Sequence, residues 1–258
     1  MKTSVNQAKR RFLGRGLAVM GGVLLAGCDR LSDAEWFGSG VLEWGQRLSY
    51  SVHKLLGRKS MAQEFTESDI SPFFRANGND SPNNPAYQTW VKSGFADWAL
   101  TVDGLVETPV KLSLADLRAA PSRTQITRHD CVEGWSAIGK WTGVPLAHVL
   151  SLVKPKPAAR YAVFHCSDPM ESDGSHPYYE SIDMDDAYHA QTILAYALNG
   201  KPLPVANGAP IRLRVERQLG YKQAKYIERI ELVSSFAQLH GGNGGYWEDQ
   251  GYQWYAGI

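Results

Sequence analysis

The sequence contains little cysteine, with only three such residues among 258: Cys28, Cys131 and Cys166. None of them belongs to a Cys-x-x-Cys-His motif, and three widely spaced thiols do not supply the ligand set of an iron–sulfur cluster. The chain is therefore not expected to carry covalently attached haem or such a cluster.

Two common nucleotide-binding signatures are also missing. The sequence has no Gly-x-Gly-x-x-Gly fingerprint and no Walker-type phosphate loop, so it does not indicate the usual dinucleotide or nucleoside-triphosphate site. Its charges nearly cancel, with 27 basic and 26 acidic side chains and a net charge of +1. Because there is no basic excess, we do not expect nucleic-acid binding.

The N-terminal region carries features of bacterial export. Basic residues at 9–11 precede an uncharged, mostly apolar stretch over 16–27, which is too short for a comfortable membrane-spanning helix. This segment resembles a twin-arginine export signal, although Sec export stays open. Residues 25–28 resemble a lipobox, so Cys28 is the expected lipidation site, and Asp29 resembles the signal for retention in the inner membrane. A short anchor that is never cut is the alternative.

The sequence divides into an export signal over 1–27, a tether over 28–70 and a main domain over 71–258. Apolar residues of the tether recur at helical spacing over 44–56. Such a face packs inside the protein or lies on a membrane or a partner. The segment 71–87 is rich in Asn, Pro and Gly, which predicts a long loop of the kind often found at functional sites.

The main domain mixes short strands with short helices without regular alternation, which predicts an α+β fold. Ser113 is the expected cap of one helix, with Asp116 in its first turn. The predicted elements are, in order, a hairpin over 98–110, a helix over 113–120, a strand over 124–131, a helix over 143–153, a strand over 160–167, a helix over 181–200 and strands at both ends of 210–233.

Cys131 lies in the sequence RHDCVEGWS, residues 128–136. If Cys28 carries lipid, Cys131 and Cys166 are the thiols that remain, and in an oxidising compartment two thiols usually indicate a disulfide. A buried inert thiol is a second possibility. A third is a metal-ligating thiolate, a soft ligand that only a deprotonated cysteine supplies.

The segments around Cys131 resemble those of the sulfite-oxidase-fold family of molybdopterin oxidoreductases. CVEGWS is followed by WTGVPL, and LPVANGAPIRLRV over 203–215 by GYKQAKYIERI over 220–230. The resemblance covers about 71–233. It implies a sulfite-oxidase-like fold of mixed sheets with short helices, a Mo-molybdopterin cofactor and oxidoreductase activity.

The resemblance also implies the site residues. Cys131 matches the catalytic cysteine whose thiolate ligates molybdenum, and Arg128 and His129 beside it are expected to favour that thiolate. A planar guanidinium fork suits phosphate, and Arg212 matches the family's cofactor-binding arginine. The expected cofactor-binding residues are Asn77, Cys131, Cys166, Asn207, Arg212, Gln223, Ala224 and Lys225.

The residues after Cys131 bear on the substrate. Sulfite oxidases place arginines near the cysteine, because their dianionic substrate needs several cations. Here Glu133 follows instead, and Cys-Val-Glu-Gly-Trp-Ser resembles the same stretch of the periplasmic methionine-sulfoxide reductases. This resemblance favours oxygen-atom transfer with sulfoxide-type substrates. Asp130 departs from those reductases, which have an arginine there, so the identity of the substrate stays open. A sulfite dehydrogenase and a cofactor-free envelope binding protein with the same fold stay open as alternatives.

The expected partners follow from these features. A small-molecule or peptide-bound substrate would react at the periplasmic face of the inner membrane, where a lipid anchor holds the enzyme near its electron partner. That partner is expected to be a haem protein, a flavoprotein or a quinone-linked membrane subunit. Arg75 is a candidate substrate-side cation. Aromatic residues of the C-terminal segment either line the mouth of the site or pack as a lid: Tyr246, Trp247, Tyr252, Trp254 and Tyr255.

Overall fold

The computed structural model describes residues 59–171 and 175–258, together with positions 40, 44, 45, 48 and 50–52. The export signal and the lipidation site at Cys28 lie outside the described residues. Of the tether helix, the described positions include Trp44, Leu48 and Val52, and these are helical. The chain divides into two units, 1–58 and 59–258. Among the described residues, no helix combines the length and the apolar character needed to cross a bilayer.

The second unit contains ten strands and five short helices among its described residues. The strands are β1 (Ala99–Gly104), β2 (Val110–Ser113), β3 (Arg123–Cys131), β4 (Trp135–Pro145), β5 (Tyr161–Pro169), β6 (Pro177–Asp183), β7 (Ile193–Leu198), β8 (Lys201–Pro202), β9 (Arg212–Arg214) and β10 (Ile227–Val233). The helices are α1 (Pro85–Lys92), α2 (Leu114–Ala119), α3 (Leu146–Val153), α4 (Met184–Ala187) and α5 (Tyr246–Asp249).

The strands form two mixed or antiparallel sheets. The first sheet has the order β2-β1-β10-β5-β6, and its β1–β10 pair is parallel. The second has the order β3-β4-β7-β8, with β9 also paired to β7. Mixed sheets with short helices confirm the predicted α+β class.

Several local predictions are confirmed because their signals are local. Ser113 caps α2 by accepting a hydrogen bond from the amide of Asp116, and the Asp116 carboxylate accepts one from the amide of Ser113. This reciprocal capping box satisfies backbone donors that the helix leaves free. The hairpin predicted over 98–110 exists as β1 and β2, which pair from Ala99 with Ser113 to Val102 with Val110.

The helix predicted over 181–200 is wrong. Only α4 is helical there, and the chain continues as β7. Ile193, Leu194 and Ala195 are fully buried, because Leu194 packs in the main apolar core and Ile193 and Ala195 pack in a second apolar cluster with Trp141. An interior strand that is covered on both faces lacks polar alternation, so its apolar run does not distinguish a strand from a buried helix.

The residues just before the predicted main domain also pack on it. The side chain of Gln191 bonds both the amide and the carbonyl of Ala62, at 2.7 and 3.0 Å. Farther along, the amide of Phe65 donates to the carbonyl of Ile126 at 2.8 Å, and that of Ser71 to the carbonyl of Ile138 at 3.0 Å. Residues 59–71, assigned to the tether up to position 70, thus run along β3 and β4. We call them the strap.

Candidate active site

Cys131 is the last residue of β3 and lies at the turn into β4. It pairs with Trp135 across the hairpin, and the amide of Gly134 donates to the Cys131 carbonyl at 3.0 Å. Gly134 has φ +84°, which favours glycine. The thiol is therefore held at a fixed strand end. Cys131 and Cys166 are both free thiols, so the structure does not contain the disulfide considered as an alternative.

The Cys131 side chain opens onto a pocket of about 170 Å³. Of the eight cofactor-site residues expected from the sequence, Asn77, Cys131, Gln223 and Lys225 line this pocket. The loop before α1, the turn after β3, the end of β5 and the C-terminal segment also contribute to its walls. Residues far apart in sequence thus meet around one thiol.

Arg128 and His129 do not favour a Cys131 thiolate, which corrects the expectation from the sequence. Arg128 is exposed and donates to the carboxylate of Asp130 at 2.9 Å. His129 is buried, and burial and the neighbouring arginines hold its pKa well below the usual range, so its ring is neutral. Burial raises the pKa of the Cys131 thiol as well. A bound metal cation would therefore have to drive its deprotonation.

Arg212 is fully buried, and no described acidic side chain forms an ion pair with it. Its terminal nitrogens donate to the carbonyls of Asn207 and Gln223 at 3.1 and 3.2 Å, while its Nε has no hydrogen-bond partner. The Asn207 Nδ2 is also buried without a partner. Burial and Arg214 lower the pKa of Arg212 to about 9. Two free donors beside an uncompensated charge fit an anion such as the phosphate of a pterin cofactor.

Lys225 is a second buried cation, and it lines the pocket, whereas Arg212 and Asn207 are not among the lining residues. Its Nζ donates to the carbonyls of Asn79 and Ala206 at 2.5 and 3.0 Å and lies 3.3 Å from the hydroxyl of Tyr226. Burial and the nearby Arg212 lower the pKa of Lys225 to about 7. A nearby anion would reverse this effect, so Lys225 also fits a phosphorylated ligand.

The other expected residues lie on or beside the pocket. The Asn77 Oδ1 is buried without a partner, and the side chain of Gln223 donates to the carbonyl of Gln218 at 3.2 Å. Ala224 is buried and contributes its carbonyl to the hydrogen-bonded backbone. Cys166 is fully buried in the main apolar core and does not line the pocket. Its contact with the cofactor stays a prediction, as do the individual roles of the other residues.

Sequence reasoning missed several polar residues of the pocket, among them Asn79 and Asp168. Asn79 lines it next to Asn77, and its carbonyl accepts hydrogen bonds from Lys225 and Tyr226. Asp168 lines it at the end of β5 and is buried. No pattern marks Asn79 within its loop. Asp168 lies where the regular β5–β6 pairing is interrupted, so no strand period marks it in the sequence either.

Some of the charged and aromatic residues expected at the mouth of the pocket line it, and others do not. Glu133 lines the pocket and accepts a hydrogen bond from the Trp135 indole at 2.9 Å. Arg75 is exposed, with its guanidinium 5.7 Å from the Trp135 ring centroid, and it does not line the pocket. Of the aromatic C-terminal residues, Trp247 and Tyr252 line the pocket, with ring centroids 5.3 Å apart.

The site thus combines a fixed thiol, a pocket and buried cations without carboxylate partners, as expected of a protein that holds an anionic cofactor beside a metal-ligating cysteine. Residues 88–240 match the family described as "Oxidoreductase molybdopterin binding domain". The chain belongs to this family. It is a molybdenum-dependent oxidoreductase, and its cofactor is Mo-molybdopterin.

Two known proteins that are similar in sequence are both named as subunits of a protein-methionine-sulfoxide reductase. The chain is 38% identical over 253 residues to the putative protein-methionine-sulfoxide reductase subunit YedZ1 of Azospira oryzae, covering 97% of this chain and 88% of that protein. It is 41% identical over 152 residues to the protein-methionine-sulfoxide reductase catalytic subunit MsrP of Xanthomonas axonopodis pv. citri, covering 56% of this chain and 47% of that subunit. The chain thus spans less than half the length of the second relative.

A solved structure is also similar in part. The sulfane dehydrogenase SoxCD from Paracoccus pantotrophus matches with 23% identity and a TM-score of 0.49, over 54% of this chain and 39% of that chain.

Proposed function

We propose that this protein reduces sulfoxide-type substrates, including methionine sulfoxide within polypeptides, and that it does so at the periplasmic face of the inner membrane. The observation that carries the proposal is the composition of the pocket at Cys131. Its walls include Met170, Trp247 and Tyr252 together with the carboxyl groups of Glu133 and Asp168. Aromatic and thioether side chains suit an uncharged alkyl sulfoxide.

The substrate side of the same pocket does not suit a dianion. Sulfite binding requires cations that replace its water, whereas the nearby cation Arg75 lies outside the pocket lining and Lys225 is assigned to the phosphate side of the cofactor. Glu133 adds a negative charge next to Cys131. The names of the two relatives, which refer to protein-methionine-sulfoxide reductase, point in the same direction.

The residues have separable tasks in this proposal. Cys131 would ligate molybdenum, while Arg212, Asn207 and Lys225 would hold the phosphate side of the pterin with Asn77 and Gln223 nearby. When bound, the cofactor supplies two-electron oxygen-atom transfer. The aromatic wall orients the sulfoxide and excludes water from it.

We place the electron source outside the chain. Three cysteines and no haem-attachment motif leave the sequence without a second redox centre of those kinds. We propose a haem protein, flavoprotein or quinone-linked membrane subunit as the donor. An N-terminal lipid at Cys28 would keep the enzyme at the membrane and raise the effective concentration of that partner.

Turnover by protein purified after export tests the reaction. We expect methionine sulfoxide to be reduced with a reduced viologen as electron donor, and sulfite with an electron acceptor to give much slower turnover. Cys131→Ser should abolish reduction and change the molybdenum spectrum, while Ser136→Ala on the exposed face of the same hairpin should leave both unchanged. Faster sulfite oxidation than sulfoxide reduction would overturn the proposal.

Location is tested separately. Globomycin, which blocks lipoprotein signal cleavage, should cause the precursor to accumulate, and Cys28→Ala should release the protein from membranes. The anchored location would be contradicted if the native precursor were processed normally in globomycin and the Cys28→Ala variant stayed on membranes. Neither result would affect the reaction assigned to the site.

A further inference from the structure

Asp168 is a buried acid of the pocket that the proposed cofactor contacts do not use. Only 4% of its surface is exposed, and it lines the same pocket as Cys131. Its Oδ1 has no hydrogen-bond partner among the described residues. An unpartnered buried carboxyl oxygen is costly unless it serves a ligand or a reaction.

The backbone explains how Asp168 reaches the pocket. The β5–β6 ladder is interrupted between His165 and Pro169, so Asp168 lies where the regular pairing is lost. The amide of Ser167 donates to the carbonyl of Tyr226, just before β10, at 2.9 Å. Irregularities of this kind redirect side chains at strand ends.

Several other charged or hydroxyl groups of the pocket are already engaged. Glu133 accepts from Trp135, and the hydroxyls of Tyr178 and Tyr221 donate to backbone carbonyls. The Lys225 ammonium also donates to backbone carbonyls and forms no ion pair with Asp168 among the described contacts. Asp168 is therefore the buried acid of the described pocket with a free oxygen.

We propose that Asp168 delivers a proton to the substrate oxygen during sulfoxide reduction. The inference rests on the proposed function. Reduction of a sulfoxide consumes two electrons and two protons: the sulfur–oxygen bond breaks, the sulfide leaves, and the oxygen leaves as water. The external electron carrier supplies the electrons, Asp168 passes one proton to the oxygen and regains it from solvent, and solvent supplies the other.

The surroundings of Asp168 suit this task. Burial raises the pKa of its carboxyl to about 7, against the opposing effects of Lys225, its own backbone amide and Asn79. A positioned acid works best when its pKa lies near the working pH. The titratable and charged groups that face Asp168 are Tyr87 of α1, Cys166 of β5, Tyr178 of β6, and Lys225 and Tyr226 before β10.

The test compares Asp168→Asn, Asp168→Glu and the control Asp97→Asn, which removes the same charge from an exposed position outside the pocket. Each variant is purified after export, and its molybdenum and pterin contents are measured first. We expect native contents in all three. Reduction of methionine sulfoxide by reduced viologen should fall on the order of 100- to 10,000-fold in Asp168→Asn and recover partly in Asp168→Glu.

Two readouts distinguish proton delivery from a structural role. In the native enzyme the turnover number should fall as pH rises through the Asp168 titration, and Asp168→Asn should lose this dependence. Infrared difference spectra of the native protein should show the band of a protonated buried carboxyl near neutral pH. The part of this band that belongs to Asp168 should be lost in Asp168→Asn and retained in Asp97→Asn, whatever other buried carboxyl groups contribute. The infrared measurement on the native chain remains informative if a variant does not fold.

The contrary results are distinct. Native turnover in Asp168→Asn, or absence of the protonated-carboxyl band from the native protein, overturns the proton role. Loss of molybdenum or pterin from Asp168→Asn makes Asp168 a cofactor anchor and also overturns it. If the native, metal-loaded chain reduces no sulfoxide, the proposed function itself fails, whereas active native protein with an unaffected Asp168→Asn variant contradicts the Asp168 proposal alone.

Discussion

Two groups of buried cations lie side by side in this protein and differ in their partners. Arg214 pairs with Glu216, and Lys222 pairs with two buried glutamates; we call these the paired cations. Arg212 and Lys225 donate to backbone carbonyls and form no ion pair with the described acidic residues; we call these the unpaired cations.

The difference separates charges that complete the fold from charges available to a ligand. A buried charge without a counterion is costly. The paired cations offset this cost within the chain, whereas the unpaired cations can do so when an anion binds. Arg212 lies beside Asn207, and Lys225 lines the pocket. The lack of carboxylate partners at these two cations is therefore better evidence for a phosphate site than their burial alone.

Loss of the Lys222 ammonium should have the largest effect on stability. Lys222→Met leaves Glu180 and Glu248 buried together without a cation, and burial already raises the pKa of Glu180 well above its usual range. We expect the free energy of unfolding to fall by about 3–5 kcal/mol, measured by urea denaturation of cofactor-free protein. Lys156→Met, at an exposed position, is the control.

A loss below about 1 kcal/mol in Lys222→Met would contradict this prediction, since an ion pair between exposed groups contributes no more than that. It would also mean that a paired cation contributes little to stability, which removes one half of the distinction between paired and unpaired cations.

Arg214→Met and Arg212→Met form a matched pair, because both guanidinium groups are fully buried and face the ring of Trp141, at 4.4 and 5.2 Å from its centroid. Arg214→Met leaves the Glu216 carboxylate without its cation, and we expect a loss of about 3 kcal/mol. Arg212→Met removes an uncompensated charge but also its hydrogen bonds to two carbonyls, so the cofactor-free chain should lose less stability than it does in Arg214→Met. Urea denaturation measures both.

Cofactor content should show the opposite order. Arg212→Met should retain much less molybdenum and pterin than Arg214→Met, after correction for the folded fraction. Equal losses of stability in the two variants, or full cofactor content in Arg212→Met, would show that the unpaired cation has no ligand role.

The sequence allowed prediction of features whose causes are local. The cap at Ser113 and Asp116 and the strand that ends at Cys131 follow from neighbouring residues. Cys131 and Lys225 were assigned to one site because two separated motifs resemble those of a single family. The helix predicted over 181–200 failed because sheet burial makes β7 apolar on both faces, which local periodicity cannot distinguish from a buried helix.

The pairing of charges could not be predicted in the same way. Lys222 and Lys225 are three residues apart in the sequence, yet the first meets Glu180 and Glu248 and the second meets none. Their partners come from distant segments, so only the tertiary structure reveals the difference. Asp168 was missed for a related reason: its free oxygen depends on which distant donors fail to reach it.

The pH dependence of stability tests the unpaired Lys225 with a smaller expected effect. Its pKa is about 7 in the folded chain and 10.5 ordinarily, so between these values the unfolded chain binds more protons. Stability of the cofactor-free chain should therefore rise with pH across this window, and the penalty should be fully present below about 7. The slope should be smaller in Lys225→Met, measured by urea denaturation at several pH values.

Inorganic phosphate sharpens the same measurement. An anion beside Lys225 raises its pKa, so phosphate should move the rising part of the stability curve to higher pH in the native chain and not in Lys225→Met. Equal slopes in the two chains without phosphate would show that Lys225 keeps an ordinary pKa in the fold.

The smallest effect on stability is expected for an ion pair that belongs neither to the paired cations nor to the unpaired cations. Lys140 of β4 pairs with Glu67 of the strap, where Lys140 is partly exposed and Glu67 is exposed. Water screens such pairs, so Glu67→Gln should change the free energy of unfolding by less than about 1 kcal/mol, as Lys140→Met should. A loss approaching that of Arg214→Met would mean that the strap carries a large share of the stability of the domain. Exposed charge would then matter as much as buried charge, and the contrast between paired and unpaired cations would lose its physical basis.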